Sequence, residues 1–437
     1  MTSRALEVLR ADSEDLYYSD AKNACVQSIP VEYNTRFTQT LSNLGAGSST
    51  FIIPPGNGLR CPVLVLGYSA SAISSYTPPS GPAVTNTGLY ALPRGWGYLA
   101  IARISWRVGG STQYFLTGQQ LLQRNLRMVQ TKSQADAVLS LGGNEAKVTL
   151  DFQQDQFAYI PLTCWSGPSV DGISLPLPGD ILSQNVQITV ELNPSSAFWV
   201  TNPTPGSPTP LVTGFVPSAF TTGYFQAEQL VMVDRAQSLA NNEAFARGEV
   251  SYSMPVSFDQ QEQVITGLQA TTAQQPITLT GFRAGQVKSI EMWLVDKRSS
   301  NLNKLLWKKP KSVILSYAGV IYAQYENGVS ALFNLIDGTK PSAVDESALA
   351  QGAVPGAMTS SAVSSEWVSL PFAQKSGADY SDDVLVHGKE ITNGIVNIQI
   401  ALPDAAADGG SSAYEVHVVY NYTAALNFAR GTAEYVF

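Results

Sequence analysis

Val186-Gln-Ile-Thr-Val-Glu-Leu-Asn-Pro194 alternates apolar and polar side chains without a break, and Val396-Asn-Ile-Gln-Ile-Ala-Leu-Pro403 does the same 210 residues later. Alternation with period two marks a strand with one buried and one wet face. Upstream of each lies a second matched pair, Tyr159-Ile-Pro-Leu162 and Ser369-Leu-Pro-Phe372, and Pro161 to Val186 and Pro371 to Val396 are both 25 residues. Two further pairs extend the comparison: Ser28-Ile-Pro-Val-Glu-Tyr-Asn34 with Ser253-Met-Pro-Val-Ser-Phe-Asp259, and Ile104-Ser-Trp-Arg-Val108 with Ile290-Glu-Met-Trp-Leu-Val295. The four offsets are 225, 187, 210 and 210, in unbroken chain order. One such match is weak, because V-x-I-x-V occurs in many strands; four in order predict an internal duplication. The duplication requires Trp106 and Trp293, and Val186 and Val396, to occupy equivalent strands. Differences in spacing fall in turn-rich stretches around Ser69 to Gly97 and Asp337 to Ser365.

Ile101 to Val108 and Tyr414 to Tyr422 alternate in the same way, whereas Pro194 to Gly223 carries six prolines and cannot supply a central strand. Helical spacing is rare. Gln119 to Leu139 predicts one helix through Leu122, Leu126, Val129 and Ala137, with shorter candidates at Ser299 to Lys309 and Ala236 to Arg247. The class is therefore all-β. Each half, about 200 residues, has strands enough for a two-sheet sandwich with an inserted helix. A jelly roll closes such sheets without long exposed edges. The expected fold is two consecutive eight-stranded jelly rolls (a double jelly roll) with short inserted helices and long loops. The expected division is an N-terminal arm over 1–27, a first roll over 28–237, a linker over 238–244 and a second roll over 245–437.

Only 14% of the 437 residues are charged, against about 25% in a typical soluble domain. Hydrophobic residues at 44% are ordinary, which argues against intrinsic disorder. So little charge suits a molecule that buries much of its outside against copies of itself. The net charge of −8 argues against nucleic-acid binding. Cys25, Cys61 and Cys164 form neither a disulfide framework nor a C-x-x-C pattern, which fits a reducing compartment. No signal-peptide core is expected at the N-terminus, and stretches such as Pro62 to Gly67 are far short of the roughly 20 apolar residues of a membrane span.

The chemistry-bearing residues are few. His417 sits in an alternating strand and reads as a wall residue. His387 has no Cys, Asp or Glu at metal-ligand spacing. Gly67-Tyr-Ser-Ala-Ser71 lacks the last glycine of a nucleophile elbow. Asp404 and Asp408 have too few acidic neighbours for a calcium cage. Asn421-Tyr-Thr423 fits a glycosylation sequon but falls in an expected strand. Lys297, Arg298, Lys304, Lys308, Lys309 and Lys311 form a basic cluster that either faces a neighbouring acidic surface, an internal membrane or the genome, or is a solvated helix face. Ala5, Leu6, Val8 and Leu9, followed by Asp12, Glu14 and Asp15, read as a short amphipathic arm or a frayed terminus. No catalytic, cofactor-binding or metal residue is assigned, no cofactor is expected, and a non-enzymatic protein is expected.

Several segments resemble the double jelly-roll major capsid proteins of double-stranded DNA viruses, the group of nucleocytoplasmic large DNA viruses, virophages and polinton-like viruses. Ile104-Ser-Trp-Arg-Val-Gly-Gly110 followed by Gly118-Gln-Gln-Leu121 is similar to the family's strand, Gly-Gly turn and helix. Tyr159-Ile-Pro-Leu-Thr-Cys-Trp165 and Leu175-Pro-Leu-Pro178 resemble its "IPLPF" and "LPL" segments, with Thr163-Cys164 in place of Pro-Phe. Leu230-Val-Met-Val-Asp-Arg235 with Phe245-Ala246 resembles the connection between rolls, and Asn421 to Arg430 the closing strand. The family's N-terminal "T-x-F-K" segment is missing. The resemblance implies homotrimeric, pseudo-hexagonal capsomers that tile an icosahedral virion shell assembled inside the host cell. It implies neighbouring capsomers, minor capsid and penton proteins as partners, and leaves contact with an internal membrane open. The alternative is a two-domain β-sandwich carbohydrate-binding protein, lectin or fibre-like, with Trp96, Tyr76 and Tyr90 stacking on sugars.

Overall fold

The computed structural model describes residues 31–69, 90–127, 132–163, 177–201, 219–248, 251–296, 307–326, 367–371, 389–402 and 414–436, apart from single positions and short runs within them. The first eight long strands are β1 (Val31–Thr40), β2 (Gly47–Ile53), β3 (Gly58–Tyr68), β4 (Ile101–Arg107), β5 (Tyr114–Leu116), β6 (Gln156–Pro161), β7 (Val186–Leu192) and β8 (Thr222–Met232). They form two antiparallel sheets in the orders β1-β8-β3-β6 and β2-β7-β4-β5. The next eight are β9 (Ser251–Asp259), β10 (Gln275–Leu279), β11 (Gln286–Asp296), β12 (Ser312–Tyr317), β13 (Val320–Glu326), β14 (Val368–Pro371), β15 (Val396–Ala401) and β16 (Tyr414–Ala429). Their sheets run β9-β16-β11-β14 and β10-β15-β12-β13, the same pattern again. The outer edge of β11 also pairs with the short strands Trp307–Lys308 and Lys389–Glu390, and β17 (Thr432–Val436) folds back on the end of β16. The chain is a double jelly roll.

Side-chain alternation builds each sandwich. In β7 the apolar Val186, Ile188, Val190 and Leu192 are buried while Gln187, Thr189 and Glu191 are half-exposed. Phe51 of β2 stacks on Phe225 of β8 across the first sandwich, ring centroids 4.9 Å apart. The buried apolar side chains of both rolls form one continuous cluster.

Among the described residues four α-helices interrupt the strands: α1 (Trp96–Ala100), α2 (Gly118–Arg127), α3 (Lys132–Leu141) and α4 (Arg235–Arg247). The single helix expected over Gln119 to Leu139 is found as α2 and α3, with 128–131 outside the described residues. The stretch expected as a linker, 238–244, lies inside α4. The helix expected at Ser299 to Lys309 is not found where that stretch is described. Trp307–Lys308 is instead a strand, held by pairing of Trp307 with Val295 and by its packing 5.1 Å from Trp293; 297–306 and 309 lie outside the described residues. Nor is Ser69 to Gly97 all turn, since Tyr90–Leu92 is a strand and the wholly buried α1 begins at Trp96.

The hydrogen-bond registers test the duplication position by position. In the first roll Pro161 pairs with Val63, Val63 with Gln226 and Gln226 with Thr38. In the second, Pro371 pairs with Ser289, Ser289 with Asn421 and Asn421 with Asp259. Even a side-chain contact repeats: Gln226 Nε2 donates to Thr38 Oγ1 at 3.4 Å, and Asn421 Nδ2 to Asp259 Oδ1 at 3.0 Å. The facing sheets agree, with Phe51-Ile188-Trp106-Tyr114 matched by Ile277-Ile398-Leu315-Ala323. The turn after β4, Gly109-Gly110 with φ 50° and 83°, recurs after β12 as Ala318-Gly319 with φ 49° and 81°.

These registers correct the sequence comparison. Val186 and Val396 coincide, as do Pro161 and Pro371. Ser28–Asn34 and Ser253–Asp259 lead into or lie on matching strands, but Asp259 corresponds to Thr38, four residues beyond Asn34. Trp106 and Trp293 are not equivalent. Trp106 lies on β4 and corresponds to Leu315, whereas Trp293 lies on β11, four residues beyond Ser289, where the first roll has Gly67. The requirement placed on the tryptophans fails, because one large apolar residue in an alternating strand looks the same in either sheet. The duplication stands on the strand order and the registers.

Candidate functional site: the seam between the rolls

Thr117 caps α2 by accepting the Gln120 N–H at 3.2 Å. Leu121, Leu122 and Leu126 bury in the first roll, and Asn125 Nδ2 donates to the Pro161 carbonyl and the Tyr98 hydroxyl at 3.0 Å each. The stripe Gln120, Arg124, Arg127, at helical spacing, meets the second roll. Arg124 Nη1 donates to Asp259 Oδ2 at 2.8 Å, and Arg127 Nη2 to both carboxylate oxygens at 2.9 Å. With Asn421 Nδ2 on Oδ1, Asp259 therefore accepts from three side chains on two elements. Gln120 Nε2 donates to the Gln260 carbonyl at 2.6 Å, and its Oε1 accepts the Glu262 N–H at 3.0 Å. Arg124, Arg127, Asp259 and Asn421 are all buried. Burial by itself would raise the Asp259 pKa, but the guanidiniums of Arg127 and Arg124 outweigh it and hold the carboxyl below its ordinary value.

A lowered carboxyl pKa has a signed consequence. The folded form gains stability from ionised Asp259 above the ordinary value of 3.8, and loses it as pH falls through the lower folded value. Thermal melts are expected to drop more steeply below about pH 4 for the native chain than for Asp259→Asn, which removes this proton linkage. Equal acid slopes would refute it.

A second set of contacts closes the other side of the seam. Trp106 Nε1 donates to Tyr435 Oη at 3.0 Å. Tyr114 meets Phe258 and Tyr435 edge-on, at 4.9 and 4.5 Å, and Arg283 lies over the Tyr114 and Phe258 rings at 5.2 and 5.6 Å. The Gly109 carbonyl accepts the Ala433 N–H at 3.2 Å, and Ser183 donates through N and Oγ to the Gly431 carbonyl at 2.8 and 2.9 Å.

His417 is indeed a wall residue: its ring stacks on Trp293 at 5.4 Å, and Nδ1 is 3.1 Å from Glu262 Oε2. Asn421 is buried in a strand and engaged by Asp259, where no glycosylating enzyme reaches it. Trp96 is fully buried, packed on Tyr68, Phe198 and Phe220, so it cannot stack on a sugar. Tyr68 of the Gly67–Ser71 stretch is buried too, its hydroxyl pKa pushed up to about 12 by desolvation. Cys61 lies on β3 and Lys311 is exposed. Cys25, Cys164, His387, Asp404, Asp408, Tyr76, Lys297, Arg298, Lys304, Lys309, Ser71 and the arm over 1–27 lie outside the described residues. Among the described residues no group of His, Cys, Asp or Glu side chains is arranged to hold a metal, and no helix is long and apolar enough to cross a membrane.

Sequence reasoning missed the seam. The available signal was two arginines three residues apart in a helix otherwise rich in leucine, and an aspartate ending an alternating strand.

No protein-family model matches the sequence, and no curated protein matches it. Solved structures do. VP54 of PBCV-1, fitted into a reconstruction of the virophage Sputnik, has a TM-score of 0.56 at 11% identity, over 94% of this chain and 98% of that one. The mavirus major capsid protein has a TM-score of 0.53 at 10% identity, over 95% of this chain and 93% of its own. The structure of the Sputnik virophage gives 0.53 at 10% identity, over 93% and 89%. At these identities the likeness is one of fold, and it runs nearly end to end: this chain has the double jelly-roll fold of double-stranded DNA virus major capsid proteins.

Proposed function

We propose that the protein is a structural, non-enzymatic major capsid protein that forms homotrimeric capsomers. The observation that carries this is the residue-by-residue register match between two rolls fastened by a buried seam. A chain that presents two like blocks turns three copies into six, so a threefold object becomes a near-hexagonal tile. Such tiles pack edge to edge on an icosahedral face, with minor capsid proteins and a separate penton protein completing the shell, assembled in the host cell. The division into rolls over 28–237 and 245–437 belongs to this proposal, as does the absence of a cofactor or catalytic centre. The low charge content supports large contacts between copies. Sedimentation of the purified chain is expected to give a particle of three times 46.8 kDa that resists dilution. A monomer at every concentration would overturn the proposal.

A further inference from the structure

Gln123 lies one helical turn from both Gln120 and Arg127, so it projects from the side of α2 that grips the second roll. It is wholly buried, and neither its Oε1 nor its Nε2 has a hydrogen-bond partner in the protein. Gln119, one turn before it, is half-buried with its Oε1 in the same condition. Across the seam, on the outer face of the β9-β16-β11-β14 sheet, the stacked rings of Trp293 and His417 are buried, and Trp293 Nε1 and His417 Nε2 lack partners too. Gln286 Oε1 joins them, since Gln286 pairs with Thr423, two residues along β16 from Asn421, and shares its face. Gln120 ties the two sides together: its Oε1 accepts the Glu262 N–H, and Glu262 Oε2 is 3.1 Å from His417 Nδ1. Among the described residues, the single such atom away from these two surfaces is Trp96 Nε1.

Buried polar atoms in folded proteins are paired, because an unmade hydrogen bond forfeits the solvation that burial removed. Atoms gathered on one flank of a seam call for a shared partner, and their chemistry identifies it. The oxygens of Gln119, Gln123 and Gln286 need a donor, whereas Trp293 Nε1 and Gln123 Nε2 need an acceptor. A cation would serve only the oxygens and an anion only the N–H groups. Water donates and accepts, and it suits His417 Nε2 in either tautomer. That nitrogen stands 3.9 Å from Glu415 Oε2, too far for a direct hydrogen bond and within reach of one bridging water. The Glu415 side chain is 20% exposed and Gln119 is half-buried, so the row of polar groups meets solvent at both ends. The pattern belongs to the covered face: in the first roll the positions matching Trp293 and His417 are Gly67 and Thr222, paired with each other as the tryptophan and histidine are.

We infer that the seam is a binding site for structural water, a row of molecules between α2 and the second roll held by the Gln123 amide, Trp293 Nε1 and His417 Nε2. On this flank the rolls are joined through directional bonds to water rather than by apolar packing. Such a join parts and re-forms at small cost, since solvent offers each group the partner it has in the seam. The aromatic contacts of Tyr114, Phe258 and Tyr435 hold the other side and carry no such freedom.

Gln123→Met keeps the length of the side chain and removes its amide, so the sign of its effect decides the matter. In a hydrated seam the water loses a partner, and the unfolding constant of the full chain in urea, at fixed chain concentration, is expected to rise about tenfold. In a dry seam the same change removes a buried amide that had nothing to bond, and the constant falls. The water itself is read by oxygen-17 relaxation dispersion, which counts long-lived buried molecules; the count is expected to be lower for the variant than for the native chain. Gln123→Leu serves as the second version should Gln123→Met not fold. An unfolding constant that stays the same or falls, or an unchanged water count in a folded variant, would overturn the inference. Neither readout depends on how many copies assemble, so the capsomer reading stands or falls separately.

Discussion

Asp259→Ala is expected to destabilise the chain by about 3–5 kcal/mol, because it strands two buried guanidiniums that share one carboxylate. The attraction within such a cluster only offsets what desolvating its charges costs, so the loss measures abandoned charges more than a lost bond. That distinction gives an ordered series. Arg124→Ala or Arg127→Ala alone leaves Asp259 with a partner guanidinium and the Asn421 amide, and should cost less, about 1.5–3 kcal/mol each. Replacing all three by apolar residues of similar volume should be the mildest change of the set. Urea titrations of the four variants would check the order. Additive losses would contradict a single coupled cluster.

What the sequence disclosed and what it hid follow from the physics of each signal. Period-two alternation is a local property, so β7 and β15 are legible, and the 25-residue spacing to Pro161 and Pro371 survives because the intervening connections have equal length. The tryptophan match misled for the same reason: alternation tells which residues are buried but not which sheet buries them. Trp307 shows tertiary pairing overriding a helical pattern, since the edge of β11 offers it a strand partner and Trp293 a ring to pack on. The seam was hidden because it is made by residues far apart in sequence, Arg124 with Asp259 and Trp106 with Tyr435, and no local pattern encodes a contact across such distances. Polar residues in it read as surface from sequence alone, and only the fold reveals that Asp259 and Thr38 are the same position in two different environments.

Gly118→Ala should damage the molecule through geometry rather than chemistry. A Cβ at Gly118 would fall on the Tyr98 carbonyl oxygen and within 2.6 Å of the Ile101 carbonyl oxygen. Both are backbone atoms of α1 and β4, and Ile101 is anchored by its pairing with Leu192. A flexible side chain would move aside; these atoms cannot, so the start of α2 must shift instead. Overpacking typically costs about 1–3 kcal/mol, and backbone on both sides places this substitution at about 3 kcal/mol. Helix propensity alone would favour alanine over glycine, so a loss of that size identifies the close approach as its cause. Gln119→Ala, one residue on, should be nearly neutral by comparison. The displacement is expected to reach the seam, because α2 runs unbroken from Gly118 through Arg124 to Arg127. Adding Asp259→Ala to Gly118→Ala should therefore cost less than Asp259→Ala in the native chain, a coupling a double-mutant cycle would read directly. Strict additivity would mean that α2 absorbs the clash within its first turn and leaves the arginines in place.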